Sequence, residues 1–285
     1  WYEEADNNPE NIEKAVELIN KCTSPVILAG GGINISGANR ELREFAEKIK
    51  APVCVSLMGM GAFPGDHPYF LGMVGMHGTR YANYAVSNSD CLIAVGARFS
   101  DRVISKVEAF APKARIIHID IDPAEINKNV TAHIPICGDV KELLSGLADR
   151  VAERDESGWN SQIQEWKQDH PLKYRGKSAL SPQYVIEKLY ELTEGKAVIT
   201  TEVGQNQMWA AQYYKYSEPR TFLTSGGLGA MGYGLGASIG AAMGRPDRRV
   251  VNIAGDGSFK MNSTELATVS KYQVPIVQLV LNNHT

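Results

Sequence analysis

The chain has 285 residues, 44% of them hydrophobic and 21% charged, and a formal net charge of −3. That length holds two domains of ordinary size, each with its own core, and the slight acidic excess argues against a nucleic-acid surface, which needs clustered cations. No apolar run reaches the roughly 20 residues of a membrane-spanning helix, and the N-terminal WYEEADNN lacks the basic and apolar regions of a signal peptide.

A cytoplasmic location with no membrane partner is therefore the expectation. The four cysteines, Cys22, Cys54, Cys91 and Cys137, are far apart and show no C-x-x-C spacing. Three lie in or beside apolar runs, so they read as reduced, buried thiols.

The segment from Pro9 to Cys22 predicts a helix. Asn8 can cap it, Pro9 suits its first turn, and Ile12, Ala15, Val16 and Ile19 share one apolar face. PVILAG (25–30) reads as a strand ending in glycines, followed by a helix capped near Ser36 and running to about Lys50. PVCVSL (52–57), DCLIAVG (90–96) and ARIIHIDI (114–121) read as three more strands. A helix from Asp139, carrying Leu143, Leu144, Leu147 and Val151, closes the block. Short continuous apolar strands alternating with helices predict a parallel sheet covered on both faces.

From about Ala152 the composition turns polar, and 152–180 reads mainly as an interdomain connection, with one short helix buried through Trp159, Ile163 and Trp166. A second alternating block follows. Ser181 and Pro182 open a helix, KAVITTEVG is a strand, and the glycine-rich GGLGAMGYGLGASIGAAMG passes from loop to helix. RRVVNIAGDG is a strand, NSTELATVSKYQ a helix and PIVQLVLNN a final strand. The expected fold class is α/β, with two Rossmann-like three-layer domains built on parallel sheets. Residues 1–151 form the first, with a connecting helix at its start, and 181–285 form the second. With no helix behind its last strand, the second domain reads as truncated.

The chemistry concentrates in Gly255-Asp256-Gly257-Ser258 and in Asn282-Asn283, some two dozen residues later. Both motifs stand at the C-terminal ends of successive predicted strands, and so at the sheet edge where open α/β folds bind ligands. Asp256 offers a carboxylate oxygen, Asn283 an amide oxygen and Thr285 a backbone carbonyl, a hard-oxygen set that suits magnesium. The glycines admit a diphosphate and Ser258 adds a donor. A plain turn is the better account of Gly-Asp-Gly alone; the Asn-Asn pair at this distance favours the metal and diphosphate.

With these motifs the chain resembles the thiamine-diphosphate enzymes, and among them the acetolactate synthase (acetohydroxyacid synthase) catalytic subunits. TEVGQNQMWAAQ (201–212), TSGGLGAMGYGLGAS (224–238) and IAGDGSFKMNSTELATV (253–269) carry the likeness in the second block. LMGMGAFPGDHP (57–68), LGMVGMHGT (71–79), GARFSDRV (96–103) and HIDIDPAEINKN (118–129) carry it in the first.

The resemblance implies that Gly204, Gln205 and Asn206 help hold the diphosphate, and that Gly229 and Met231 lie near the cofactor rings, Met231 wedging the cofactor into its bent form. A helix N-terminus packed closely on its neighbour is the other reading of that glycine-rich stretch. The resemblance makes the first block an FAD domain. Gly30, Gly31 and Gly32 miss the G-x-G-x-x-G spacing, since Ile35 stands at the third glycine position, so by themselves they are weak evidence. The matched flavin motifs add Leu57, Met58, Met76, His77, Gly78, Gly96, Ala97, Arg98, Arg102, Val103, Asp120, Ile121, Asp139 and Val140. Arg98 can pair with phosphate and Asp120 can accept from an adenosine hydroxyl, although Asp120 and Asp122 read equally as turn formers. His77 also suits a structural role. Arg102 is placed by the likeness near a substrate carboxylate, with a surface ion pair to Asp101 as its alternative.

The activity the likeness implies is decarboxylation of pyruvate and carboligation to a second 2-oxo acid, pyruvate or 2-oxobutyrate, the first step of branched-chain amino-acid biosynthesis. It implies thiamine diphosphate, magnesium and a structural FAD, a homodimer or homotetramer, and a small regulatory subunit. The family's activating glutamate lies on an N-terminal domain, so Glu202 is not given that role, and the chain alone is expected to be inactive. Asn206, Gly236 and Lys260 replace the histidine, proline and glutamine frequent in relatives, which leaves substrate preference open. Competing expectations are a pyruvate oxidase or other carboligase, and a non-catalytic nucleotide-binding or interaction module.

Overall fold

The computed structural model describes residues 9–156, 158–174 and 180–283. The chain divides into two compact units at Leu172 and Lys173.

The first unit begins with α1 (Pro9–Lys21), whose Ala15 and Ile19 are fully buried. Then come β1 (Pro25–Ala29), α2 (Gly31–Ser36), α3 (Asn39–Lys48), β2 (Val53–Val55), β3 (Phe70–Met73), α4 (Arg80–Asn88), β4 (Cys91–Val95), α5 (Asp101–Ile104), β5 (Arg115–Asp120), β6 (Ile134–Cys137) and α6 (Val140–Arg150). The strands form one sheet in the order β3-β2-β1-β4-β5-β6, and every pairing is parallel. This is the doubly wound dinucleotide-binding order, with its switch point between β1 and β4. Helices α3 and α6 pack together on one face. On the other, Leu28, Leu92 and Ile116 meet Ala82, Ala85 and Val86 of α4.

The single helix expected after β1 is two. Gly37, at φ +69°, ends α2, so Ser36 closes that helix instead of capping the next one, and α3 starts at Asn39. In the connection read at 152–180, α7 (Gly158–Asp169) is a helix of the first unit: Trp159, Ile163 and Trp166 pack on the α4 side of its core, and Trp159 Nε1 donates to Pro25 O at 3.1 Å.

The second unit runs through α8 (Pro182–Thr193), β7 (Val198–Thr201), α9 (Gln205–Tyr213), β8 (Phe222–Thr224), α10 (Tyr233–Gly244), β9 (Val250–Gly255), α11 (Asp256–Met261), α12 (Leu266–Tyr272) and β10 (Ile276–Leu281). Ser181 caps α8 by accepting from Tyr184 N, with Pro182 in the first turn. The sheet order is β10-β9-β7-β8, again all parallel. Helix α10 lies on one face, where Ala242 packs with Val198 and Val250. A polar ladder crosses that face in register: Thr200 Oγ1 donates to Asn252 Oδ1 at 2.9 Å, and Asn252 Nδ2 donates to Gln278 Oε1 at 2.8 Å. Gly234 of α10 sits directly on it, because a Cβ there would lie 2.4 Å from Asn252 Oδ1. No helix among the described residues is long and apolar enough to cross a membrane.

Candidate functional site

In the second unit the candidate residues gather at the C-terminal edge of one sheet. Gly204, Gln205 and Asn206 follow β7, Gly229 and Met231 follow β8, Gly255 to Ser258 follow β9, and Asn283 follows β10. Leu281 and Gly255 are register partners, so the Asn-Asn and Gly-Asp-Gly motifs leave adjacent strands at the same level. Thr285 lies outside the described residues.

Gly204 is the N-cap of α9 at φ 148°, a value glycine adopts and other residues rarely do. Its helix turns the first-turn N–H groups of Gln205 and Asn206 towards the edge, where they suit an anion. The Asn206 side chain is committed elsewhere. Its Nδ2 donates to Glu202 O and to Ile253 O, both at 2.9 Å, tying α9 to β7 and β9. With both amide hydrogens engaged, only Oδ1 faces Gly204 and Gly255, so the side chain positions α9 and leaves the backbone N–H of Asn206 as its donor towards the edge. Ser258 is altered likewise: its hydroxyl donates to Gly255 O at 3.2 Å, within its own turn.

Glu202, at 1% exposure, is the feature the sequence left without a role. Its Oε2 accepts from Gly232 N at 2.6 Å and its Oε1 from Leu235 N at 3.1 Å. A carboxylate at those N–H groups satisfies the orphan donors and the dipole of α10. Gly232 has φ +90°, and its carbonyl accepts from Asn262 Nδ2 at 2.7 Å, so the turn before α10 is held from both sides. The loop from Ser225 to Gly232 then presents Leu228, almost fully exposed, and Met231, 46% exposed. Gln207 holds the loop's base by donating to Thr224 Oγ1 at 2.7 Å. No short-range sequence signal pairs Glu202 with Gly232, because the bond spans 30 residues.

Among the described residues no cluster of three His, Cys, Asp or Glu side chains is placed to hold a metal. Asp256 and Asn283 are therefore a sparse oxygen pair, a pattern that suits an ion sharing its shell with phosphate and water.

In the first unit the flavin candidates all follow strand ends on one edge of the six-stranded sheet. Several are accounted for by the fold itself. A Cβ on Gly30 would lie 2.0 Å from Gly96 O, one on Gly32 2.7 Å from Gly96 Cα, and one on Gly31 3.2 Å from Met58 Cβ. These glycines let the loops after β1 and β4 close on each other; they are not by themselves a phosphate cradle. Gly78 meets Met73 O and Val74 in the same way. Val103 and Val140 are buried. Asp139 caps α6 by accepting from Lys141 N at 2.8 Å, and Asp120 Oδ1 accepts from Asp122 N at 3.0 Å, the turn-forming role. Leu57 and Met58 open a short 3-10 turn after β2.

What remains open to a ligand is Met58, Met76, His77, Arg98, Arg102 and Ile121, all exposed. Arg102 O accepts from Met76 N at 2.9 Å, and Arg102 Nη1 lies 3.6 Å from Met76 Sδ; its closest carboxylate oxygen, on Asp101, is 3.9 Å from Nε. Ala97 is placed from beneath by the buried His118, which sequence reasoning passed over. His118 Nε2 donates to Ala97 O at 2.8 Å, and burial lowers the imidazole pKa below its usual value.

Residues 12–147 match the profile of the thiamine pyrophosphate enzyme central domain, and residues 202–285 that of the C-terminal TPP-binding domain. The chain belongs to the thiamine pyrophosphate enzyme family. Within it, the chain is 52% identical over 279 residues to acetolactate synthase 1, chloroplastic, of Nicotiana tabacum, covering 95% of this chain and 42% of that protein. It is 50% identical over 288 residues to a probable acetolactate synthase large subunit of Methanocaldococcus jannaschii, covering 98% and 49%. With the chloroplastic acetolactate synthase of Arabidopsis thaliana it shares 50% over 280 residues. The chain spans about half the length of these relatives.

Proposed function

We propose that the whole protein is an acetolactate synthase, which decarboxylates pyruvate and joins the remaining two carbons to a second 2-oxo acid, pyruvate or 2-oxobutyrate. The observation that carries this reading is the identity of about one half to acetolactate synthases across nearly all of the chain. Because some of these relatives are called large subunits, we extend to this protein a small partner subunit; the homo-oligomeric assembly rests on the family likeness alone.

The second unit fits the cofactor's diphosphate. Gly204 at φ 148° and Gly255, where a Cβ would have 3.6 Å to its nearest neighbour, leave backbone N–H groups approachable at the starts of α9 and α11. Asp256 and the Asn283 amide oxygen would hold magnesium, and Met231 would support the cofactor rings from the β8 loop. When bound, thiamine diphosphate supplies a stabilised carbanion equivalent for decarboxylation and carboligation. Asn206 fixes the separation of β7, β9 and α9 beneath the diphosphate, and Glu202 fixes the Met231 loop. Both oxygens of Glu202 accept from backbone within this unit, so it does not serve as the cofactor's activating acid.

The edge of the first unit fits FAD by its chemistry. Exposed Met58 and Met76, after the adjacent strands β2 and β3, and Ile121, after β5, offer apolar side chains for flat rings, and Arg98 and Arg102 offer cations for a pyrophosphate. The flavin would be structural, since the net reaction transfers no electrons.

The test is a carboligation assay on the complete protein with pyruvate, magnesium and thiamine diphosphate, beside an oxygen electrode. Acetoin after acid decarboxylation, without oxygen uptake, is the expected result. Oxygen uptake without acetoin would make the protein a pyruvate oxidase, and absence of any thiamine diphosphate binding would make it a nucleotide-binding module.

A further inference from the structure

Asn83, within α4, reaches out of its helix and clamps one backbone residue with both ends of its amide. Its Oδ1 accepts from Gly75 N at 2.9 Å, and its Nδ2 donates to Gly75 O at 3.1 Å. Gly75 stands at φ +99°, and a Cβ on it would lie 2.2 Å from Arg102 O and 2.7 Å from Val103 Cα, so it is pressed against α5. The next residue extends that contact, since Met76 N donates to Arg102 O at 2.9 Å. One side chain of α4 thus fixes, through Gly75, the two backbones that present the exposed Met76 and Arg102.

Helix α4 can serve as the anchor because its start is tied to β3. Thr79 caps it by accepting from Ala82 N at 3.1 Å, and its own hydroxyl donates to Leu71 O at 2.8 Å. Thr79 N donates to Met73 O at 2.9 Å, and Ala82, Ala85 and Val86 bury the helix against the core. The segment that Asn83 holds has glycine at 75 and again at 78. Glycine admits many backbone conformations, so the one seen here has to be imposed from outside the segment.

We infer that Asn83 is a positioning residue of the flavin edge, holding Met76 and Arg102 in the arrangement that receives FAD before FAD arrives. This rests on the reading of that edge as an FAD site. A side-chain amide suits the task because it matches one backbone donor and one backbone acceptor at once. The consequence is one of populations: a ligand that needs one loop arrangement loses apparent affinity in proportion to the fraction of molecules that hold it. If release of the clamp leaves about one molecule in ten correctly arranged, binding weakens about tenfold.

Asn88, the last residue of α4, provides the comparison. Its Nδ2 donates to Tyr84 O at 2.9 Å and its Oδ1 accepts from Lys113 Nζ at 3.0 Å, at the opposite end of the helix from the clamp.

The experiment titrates the flavin-free complete protein with FAD, followed by flavin fluorescence well below the melting temperature. Asn83→Ala should raise the FAD dissociation constant about tenfold or more, while Asn88→Ala should leave it as in wild type. A variant that has lost stability alone keeps the dissociation constant of the native state, so this readout separates positioning from a general structural role. Hydrogen exchange on the flavin-free wild type adds a test that needs no variant: the Gly75 and Met76 amides should already be protected. The inference is overturned if Asn83→Ala binds FAD as wild type does, if Asn88→Ala weakens binding equally, or if the Gly75 and Met76 amides exchange freely until FAD is added. Wild-type protein that binds no FAD would sink the reading of this edge, and the inference with it.

Discussion

The Glu202 carboxylate accepts a hydrogen bond from the Gly232 backbone N–H at 2.6 Å, so a strand end in the second unit anchors the turn that carries Met231. A second bond, from Leu235 N, engages its other oxygen. Glu202→Gln keeps the shape but turns an NH2 group towards one of those N–H groups. Leaving a buried donor unpaired costs about 1–3 kcal/mol, and the variant should unfold at lower denaturant by that amount. Unchanged stability with abolished turnover would instead mark Glu202 as a proton donor.

Asn206 is expected to act through position and not through contact with phosphate. Asn206→Ala strips donors from the carbonyls of Glu202 and Ile253, at a cost of about 1–3 kcal/mol. Calorimetry of the complete protein should show weaker thiamine diphosphate binding, together with lowered stability. Weaker binding at unchanged stability would point to direct ligand contact.

Two glycines of α10 should respond in opposite directions. Gly236 is exposed with nothing within 4 Å of a Cβ, so Gly236→Ala should stabilise by about 0.5–1 kcal/mol through helix propensity. Gly234→Ala would drive a methyl to 2.4 Å from Asn252 Oδ1, and should destabilise by at least about 1–3 kcal/mol by forcing the helix off the sheet. Thermal melts of the two variants check both signs.

Burial lowers the pKa of Lys167 to about 8, and its Nζ donates to Pro68 O at 2.7 Å. The unfolded lysine titrates near 10.4. Between these values the unfolded chain binds the proton and the folded one does not, so stability rises with pH from about 8 to about 10.4 and is flat, at its lower value, below 8. Lys167→Met should remove that slope, read as the pH dependence of the difference in unfolding midpoint between the two proteins.

The strands legible in the sequence are those buried on both faces. PVILA, CLIAV and VVNIAG read as continuous apolar runs because α/β layers cover them on either side. The three missed strands are short or interrupted. Phe70–Met73 contains Gly72 at φ +76°, Ile134–Cys137 contains Pro135, and Phe222–Thr224 has only three residues. Helix α9 was missed because QNQMWAAQY has no one-sided apolar stripe: it is packed between α8 and the sheet. The Gly-Asp-Gly and Asn-Asn edge was visible because strand ends fix where a motif points. The roles of Asn206 and Glu202 were not, since their partners lie on other strands and turns, at separations of up to 47 residues.

The central claim is that Asp256 and Asn283, on adjacent strand ends, anchor magnesium and the diphosphate. Its most direct measurement is calorimetric titration of the complete protein with thiamine diphosphate, with and without magnesium, for wild type and Asp256→Ala. The account predicts magnesium-dependent binding in wild type, and a loss of about 100-fold or more in the variant, as for removal of a metal-site residue. Equal binding by both proteins, or binding indifferent to magnesium, would contradict it.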